Sequence, residues 1–357
     1  MTMKDQIGVG VIGVGILGRR HTRVYAEQPN AKLVALADHN PAKVEDLAKQ
    51  HGVRLFSDYR EMLEVLGPGG TGELQAVSVA TPDFAHGDPV RAALEAGVDV
   101  LVEKPLTMSI DEAKELISIS KGKSAVLMVN YSQRWLPENI RIKELIQEGA
   151  LGNIAFIESH KWDTAWVPGQ MIKWAGQTTP IHFMSSHDID LIIDWLGDRV
   201  KSVSALKHHG VLDSVKGLNN VVDGYVAILQ FHRGTLVSLH SSWIEPPSFP
   251  VIADSHLEVH GSNGSIFLEG STREMKLYIG NMSEKVIYSG PSTATEVDGK
   301  IEGAFTKSLQ AFLRAVKRRE LDTPTAAAST LHVVQVQEAI VRSAETGETV
   351  YLNAGNL

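Results

Sequence analysis

The chain contains no cysteine among its 357 residues, which excludes disulfide bridges, thiolate metal ligands and cysteine nucleophiles. Basic residues are fewer than acidic ones, and the net charge of -8 gives no positive surface for nucleic acid. No apolar run reaches the roughly 18 residues that a membrane span needs. The N-terminus lacks the pattern of a signal peptide. These absences predict a cytoplasmic protein that binds neither nucleic acid nor membrane.

The fourteen histidines do not form a metal-binding pattern. His208 and His209, for example, are adjacent rather than spaced four residues apart on a helix, and no carboxylate accompanies them. Zinc sites usually require such spacing or such company. The sequence therefore predicts no metal site.

A glycine-rich turn follows the first apolar run. Ile7–Ile12 predicts a strand and Arg19–Gln28 predicts a helix, and between them lies a G-x-G-x-x-G pattern. An overlapping copy of the pattern starts at Gly8, but it would leave almost no residues for the strand. In the later copy the first glycine permits the tight turn, the second lets the backbone approach a pyrophosphate, and the third lets the helix pack on the sheet. The predicted nucleotide-binding residues of this turn are Gly13, Gly15, Ile16, Leu17 and Gly18.

An acidic residue ends the second apolar run. Asp38 lies twenty residues after Gly18, where the acid of a dinucleotide-binding βαβ unit meets the adenosine ribose. A carboxylate pairs with the free ribose hydroxyls and repels a 2′-phosphate. The neighbouring His39 and Asn40 supply no arginine for such a phosphate. We therefore predict NAD rather than NADP as the cofactor, with Asp38 and His39 in its site.

Two domains are predicted from the alternation of elements along the chain. Residues 1–130 alternate short apolar strands with helices, which is typical of an α/β Rossmann domain with a parallel sheet. Residues 131–357 contain consecutive strands, a hairpin signal at Asn263–Gly264 and the helical stretches Ser185–Leu196, Phe305–Arg319 and Ala326–Thr346. This pattern predicts an α+β domain with a large, mostly antiparallel, open sheet. The open face predicts a homodimer or homotetramer.

Several further motifs occur at fixed places on this frame. They are Ala80–His86, Glu103-Lys104-Pro105-Leu106 at a strand end, and His187–Leu191 at a helix start. Together with the glycine turn, they make the chain resemble the glucose–fructose oxidoreductase / inositol dehydrogenase / rhizopine-catabolism (Gfo/Idh/MocA) family over nearly its whole length. The resemblance implies an NAD(P)-dependent oxidoreductase that acts on a hydroxyl or carbonyl of a sugar, cyclitol or related polyol.

The resemblance also implies roles for individual residues. Lys104 matches the lysine that hydrogen-bonds the reacting substrate oxygen, and His187 matches the usual proton acceptor in alcohol oxidation. A lysine at a strand end can stabilise alkoxide charge, and histidine titrates near neutral pH, so both residue types suit these roles. The further residues assigned to cofactor binding are Thr81, Pro82, His86, Glu103 and Arg134.

One position departs from the family pattern. Family dehydrogenases usually carry an aspartate four residues before the histidine, and here that position is Phe183. We predict His182 and Phe183 as substrate contacts, together with Trp162. Alternation along the strand places Trp162 on one side with Glu158 and His160. Asp188 and Asp190 are interpreted as charges at a helix N-terminus.

Phe183 leaves two alternatives to a simple dehydrogenase. In the first, the cofactor stays bound and an internal cycle of oxidation, elimination and reduction cleaves a glycoside. In the second, the chain is a nucleotide-sensing regulator without turnover. Retention of Lys104 and His187 favours an enzyme, since a sensor needs neither.

Overall fold

The computed structural model describes residues 6–290 and 292–352. Residues 6–135 and 292–334 form one compact unit, and residues 136–290 and 335–352 form a second. In chain order, the elements of the first unit are β1 (Ile7–Ile12), α1 (Ile16–Glu27), β2 (Ala31–Ala37), α2 (Glu45–His51), β3 (Arg54–Phe56), α3 (Tyr59–Leu66), β4 (Ala76–Val79), α4 (Gly87–Glu95), β5 (Asp99–Val102), α5 (Ile110–Lys123), β6 (Leu127–Val129) and, from the later segment, β15 (Thr295–Val297), β16 (Lys300–Glu302) and α9 (Ala304–Arg318).

The elements of the second unit follow the same numbering. They are α6 (Pro137–Gln147), β7 (Ile154–Thr164), α7 (Pro180–Phe183), α8 (Ser186–Leu196), β8 (Val200–His208), β9 (Gly224–Phe231), β10 (Leu236–Glu245), β11 (Ala253–Gly261), β12 (Gly264–Glu269), β13 (Glu274–Ile279), β14 (Met282–Ile287) and β17 (Val350–Tyr351). The last helix, α10 (Ala327–Thr346), contains residues of both units.

The first unit is built on a six-stranded parallel sheet in the order β3-β2-β1-β4-β5-β6. The predicted Rossmann architecture is confirmed. Strand order reverses beside β1, because β2 pairs with one of its edges and β4 with the other. A crevice forms at such a reversal, outside the carboxyl ends of the strands, and it is where sheets of this type bind ligands.

The core of the first unit includes α9 from the later segment. One apolar cluster joins residues of β1, β2 and α1 to four large side chains of α9, which are Phe305, Leu309, Phe312 and Leu313. All four are buried. Burial of side chains of this size stabilises a fold by about 1.5–3 kcal/mol each. The covering helix is therefore part of the nucleotide-binding unit, although it begins about 175 residues after the end of β6, the last strand of the parallel sheet along the chain.

The second unit is built on a nine-stranded sheet in the order β14-β13-β12-β11-β7-β10-β9-β8-β17. Its neighbouring strands are antiparallel except for β7 and β10, which confirms the mostly antiparallel prediction. The two faces differ. On β7, Ile157, Ser159 and Lys161 are buried, whereas the alternating Phe156 and Glu158 are exposed.

Within the part of the chain that the structure describes, no helix has both the length and the apolar content needed to cross a membrane.

Candidate active site

The glycine turn has the geometry that a bound pyrophosphate requires. Gly13 has φ of 80°, and a Cβ there would lie 2.8 Å from the backbone nitrogen of Thr81. A Cβ at Gly18 would overlap the carbonyl of Gly13, so helix α1 packs as closely as predicted. Gly15 faces open space, with nothing within 4 Å of its ideal Cβ position. No side chain caps α1, and its first turn has no acidic residue, so its N–H groups suit an anion.

Asp38 is bonded to this turn. Its Oδ2 accepts a hydrogen bond from the Val14 N–H at 2.8 Å, and its Oδ1 accepts one from the Asn40 N–H at 2.9 Å. Each carboxylate oxygen keeps a second lone pair for a ribose hydroxyl. His39 lies nearby with its side chain 97% exposed and Nδ1 3.6 Å from Asp38 Oδ1. These residues fit the adenosine end of NAD.

Lys104 is the second residue after the end of β5, at the carboxyl edge of the parallel sheet. The Lys104–Pro105 peptide bond is cis. Glu103, predicted as a cofactor contact, instead has its side chain in the interior of the unit, where Oε1 lies 2.9 Å from His21 Nε2 and accepts from Asn130 Nδ2 at 2.7 Å. The two adjacent side chains thus differ in exposure: Glu103 is buried and Lys104 is partly exposed.

The loop after β4 is held by a buried histidine. The His86 ring lies between two carbonyl oxygens, with Nδ1 2.7 Å from that of Pro105 and Nε2 3.1 Å from that of Thr81. Burial lowers the pKa of His86 and keeps the ring neutral. A neutral ring has one N–H, so His86 donates to one of these two oxygens while it packs between the Thr81–Pro82 turn and the segment after Lys104. This contact supports the shape of the cofactor groove.

Arg134, the remaining residue assigned to cofactor binding, lies on a short 3-10 turn after β6. Its guanidinium donates to the carbonyl oxygen of Pro324 at 2.7 Å. Both residues belong to the first unit, so one role of this arginine is to fasten the segment before α10.

His187 lies in the first turn of α8, and the next residue makes a buried ion pair. Asp188 Oδ1 lies 2.8 Å from Lys161 Nζ of β7, and both side chains are about nine-tenths buried. Burial raises the pKa of Asp188, and attraction to Lys161 opposes that shift. Asp188 lies in the first turn of α8, in agreement with its interpretation as a charge at a helix N-terminus, and both Asp188 and Asp190 are buried.

The side chain at position 183 is apolar, and it packs against other apolar side chains. Phe183, at the end of α7, packs against a cluster that contains Met184 and Trp243, and its ring centroid lies 6.4 Å from that of Trp243. The adjacent His182 is buried, with Nδ1 2.9 Å from the hydroxyl of Thr179. This hydroxyl also caps α7. The surroundings explain why a carboxylate is absent at position 183.

Trp162 lies on the face of the sheet opposite Lys161. Its ring contacts His160, with centroids 5.4 Å apart, and His256 of β11, with centroids 5.5 Å apart. Alternation along β7 puts Trp162 with Glu158 and His160, as predicted, but α8 packs on the other face through Lys161. The structure therefore does not bring Trp162 together with His187.

The sequence reasoning missed Lys161 and His21. A lysine on the buried side of a strand needs a charged partner, so the strand pattern contained a signal for Lys161. His21 lies in α1, three residues after Gly18, and no motif of the sequence assigns it a role. Among residues 6–290 and 292–352, no group of three or more histidine, aspartate or glutamate side chains could hold a metal ion.

Two protein-family models match the chain. The family model described as "Oxidoreductase family, NAD-binding Rossmann fold" matches residues 7–131. The model described as "Oxidoreductase family, C-terminal alpha/beta domain" matches residues 143–352. Together the two matches cover most of the chain.

Individual relatives align over most of their length. The scyllo-inositol 2-dehydrogenase (NAD(+)) of Bacillus subtilis is 28% identical over 98% of this chain and 98% of its own. The inositol 2-dehydrogenase of Rhizobium meliloti is 24% identical over 87% of this chain and 88% of its own.

Solved structures share the fold. A levoglucosan dehydrogenase in complex with NADH and levoglucosan has a TM-score of 0.82 at 23% identity, covering 97% of this chain and 99% of that one. An inositol dehydrogenase homologue from Azotobacter vinelandii, complexed with NADH and myo-inositol, has a TM-score of 0.82 at 24% identity and covers 98% of each chain.

The glycine turn, its bond to Asp38 and the two family matches give one conclusion. The cofactor is NAD, and the protein is an enzyme. The chain belongs to the Gfo/Idh/MocA family of NAD-binding oxidoreductases.

Proposed function

We propose that this protein is a dehydrogenase or reductase that transfers a hydride between NAD and a hydroxyl or carbonyl of a sugar, cyclitol or related polyol. The position of Lys104 carries the proposal. The residue lies at the carboxyl edge of the sheet whose β1 ends in the glycine turn, and a cation there stabilises alkoxide charge on a substrate. The names of the inositol dehydrogenases among the relatives support the substrate class.

Each residue has a distinct role in the proposal. NAD, when bound, accepts or returns the hydride, while Asp38 and the glycine turn hold its adenosine and pyrophosphate. Lys104 Nζ donates a hydrogen bond to the reacting oxygen. His187 accepts the hydroxyl proton during oxidation and returns it during reduction. An enzyme that exchanges hydride with the NAD pool needs access to that pool, so we also propose a cytoplasmic location.

The environment of Phe183 bears on the substrate. An apolar side chain cannot bind a sugar hydroxyl, so the polar contacts of the second unit must come from other residues. The Lys161–Asp188 pair places two charged groups at the start of α8, where His187 also lies. We propose that these groups replace the carboxylate that family dehydrogenases carry four residues before the histidine.

A test of this function uses the purified protein with NAD and a panel of cyclitols, aldoses and anhydrosugars. We expect absorbance of reduced cofactor at 340 nm to rise with at least one member of the panel. Product without net NADH would instead support the internal redox cycle that cleaves glycosides. Tight NAD binding without turnover of any compound would reject the enzymatic proposal and favour a regulator.

We also propose a homodimer or homotetramer formed through the outer face of the nine-stranded sheet. Four apolar side chains on this face are 45–72% exposed, namely Phe156, Leu206, Val226 and Ile228. Exposed apolar surface of this kind marks an interaction site. The double variant Val226→Glu/Ile228→Glu should lower the mass measured by light scattering, and Leu321→Glu in the other unit should not. A monomeric parent protein would reject the proposal.

A further inference from the structure

Glu103 is the centre of a buried polar network in the first unit. His21 Nε2 lies 2.9 Å from Glu103 Oε1, and Asn130 Nδ2 donates to the same oxygen at 2.7 Å. Ser308 Oγ donates to Asn130 Oδ1 at 2.7 Å. None of the four residues is more than 5% exposed. The network therefore connects α1, the end of β5, the end of β6 and α9 without contact with solvent.

The hydrogen-bond pattern places one negative charge in this network. His21 Nδ1 is buried and has no hydrogen-bond partner among the described residues, so a proton on it would be an unsatisfied buried donor. A neutral ring that donates from Nε2 to Glu103 avoids that cost. Burial raises the pKa of Glu103, but its electrostatic and hydrogen-bond interactions with His21, the hydrogen bond from Asn130 and the attraction of Lys104 together lower it below its usual value. Glu103 is therefore an anion.

Four titratable groups interact with this anion. His21 and Tyr25 approach from α1, and His86 approaches from the start of α4. The burial of Tyr25 raises its pKa, and the burial of His86 lowers its pKa, so both are neutral at pH 7. Lys104, the fourth group, is a cation and the next residue in the chain.

Burying a carboxylate costs free energy unless the charge is paired and hydrogen-bonded. We propose that Glu103 is a positioning residue for Lys104: its fixed charge keeps the ammonium protonated, and its bonds to His21 and Asn130 fix the turn that presents Lys104 at the sheet edge. This inference rests on the proposed function, since it assigns the purpose of Glu103 to the lysine of that site. It differs from the predicted role of Glu103 as a cofactor contact, because the carboxylate is buried.

The test is Glu103→Gln, which removes the charge and nearly preserves the shape. The pH dependence of the acetylation rate of Lys104 by acetic anhydride, read by mass spectrometry, reports its protonation without any need for turnover. We expect the midpoint for Lys104 to fall by about one pH unit, because loss of an adjacent opposite charge destabilises the ammonium. The midpoint of the exposed Lys114, measured in the same sample, should not change.

A matched control tests whether any buried acid has this effect. Asp99 is the first residue of β5, and Glu103 is the residue after its end. Asp99 is buried like Glu103, and its carboxylate accepts a hydrogen bond from the Val126 N–H at 2.7 Å. Asp99→Asn should leave the midpoint of Lys104 unchanged. If Glu103→Gln fails to fold, the double variant His21→Gln/Glu103→Gln places two amides in the network and receives the same measurement. An unchanged midpoint for Lys104 in whichever variant folds would overturn the proposal.

Kinetic measurements distinguish a failure of this inference from a failure of the proposed function. With an active substrate, Glu103→Gln should lower kcat by about 100-fold through misplacement of Lys104, and it should change NAD affinity by less than twofold. The high-pH limb of kcat/KM should move down with the acetylation midpoint. If the parent protein turns over no polyol, the proposed function fails, and the acetylation midpoint still decides the role of Glu103.

Discussion

The carboxylate of Asp38 accepts a hydrogen bond from the Val14 N–H across 2.8 Å, so the acid at the end of β2 is bonded to the turn that follows β1. The contact joins two strand ends that are paired neighbours in the sheet. It holds the turn in shape while leaving acceptor capacity for ribose hydroxyls. One side chain thus organises the turn, and we predict that it also selects the nucleotide.

Asp38→Asn tests both roles. The substitution removes the charge from hydrogen bonds that are each worth about 1.5–3 kcal/mol, so the Kd for NAD should rise at least about tenfold. Repulsion of a 2′-phosphate should also weaken, which narrows the preference for NAD over NADP. Titration calorimetry with both cofactors measures these changes. Asp46→Asn, on α2, is the control, and equal effects of the two variants would contradict the prediction.

Lys104→Ala tests the proposed substrate contact. Loss of one group that stabilises developing charge typically costs about 10²–10³ in kcat. We expect turnover of the active polyol to fall by that factor while the Kd for NAD stays within twofold. Lys114→Ala, on the exposed side of α5, should behave like the parent protein. Unchanged turnover in Lys104→Ala would reject its catalytic role.

Phe183→Asp restores the residue type that the family usually carries. We expect no gain in activity, because the position packs on the apolar cluster around Trp243. A carboxylate there should lower the free energy of unfolding by about 2–4 kcal/mol. Phe183→Leu keeps apolar contacts and should cost less than about 1.5 kcal/mol. Urea unfolding compares the two, and an active, equally stable Phe183→Asp would show the prediction to be wrong.

The Lys161–Asp188 pair makes a prediction about stability. Lys161→Met leaves a carboxylate buried without its cation, and Asp188→Leu leaves the reverse, so each should cost about 3–5 kcal/mol. The double variant Lys161→Met/Asp188→Leu should cost less than either single one, since no charge remains buried. A double-mutant cycle from urea unfolding measures this coupling. Additive effects would mean that the pair does not interact.

The ionisation of Asp223 should make the stability of the protein depend on pH. Burial raises the pKa of this carboxyl, but hydrogen bonds from Val211 N–H, Leu212 N–H and His208 outweigh burial and lower it. A lowered pKa contributes stability above the usual range of an aspartate, and that contribution disappears as the pH falls through the folded-state value. Asp223→Asn should therefore cost about 1–3 kcal/mol at pH 7. Thermal unfolding at several pH values should show the difference narrowing below about pH 4.

Local patterns predicted the parts of the fold that local physics decides. The turn after β1 requires glycine at a positive φ, and Gly13 has φ of 80°. The hairpin signal at Asn263–Gly264 lies between β11 and β12, as expected. Helix Ser185–Leu196 begins one residue later than predicted, at Ser186. Each of these features depends on residues close together in the chain.

Features that depend on distant residues escaped prediction. Alternation along β7 identified the two faces of the strand but not the one that α8 covers, so Lys161 was overlooked; Trp162 as a substrate contact stays a prediction. The burial of Glu103 depends on His21, which is 82 residues away.

The position of α9 also bears on how the protein forms during synthesis. Ribosomes release a chain from its N-terminus, so β1 to β6 emerge long before Phe305 and Leu309 are made. Until then, the apolar surface that α9 covers stays open to water and to other chains. A fragment that stops near residue 130 should remain in that state and aggregate. The nucleotide-binding unit is therefore complete only after most of the polypeptide has been made, and premature termination between residues 136 and 290 would leave both units incomplete.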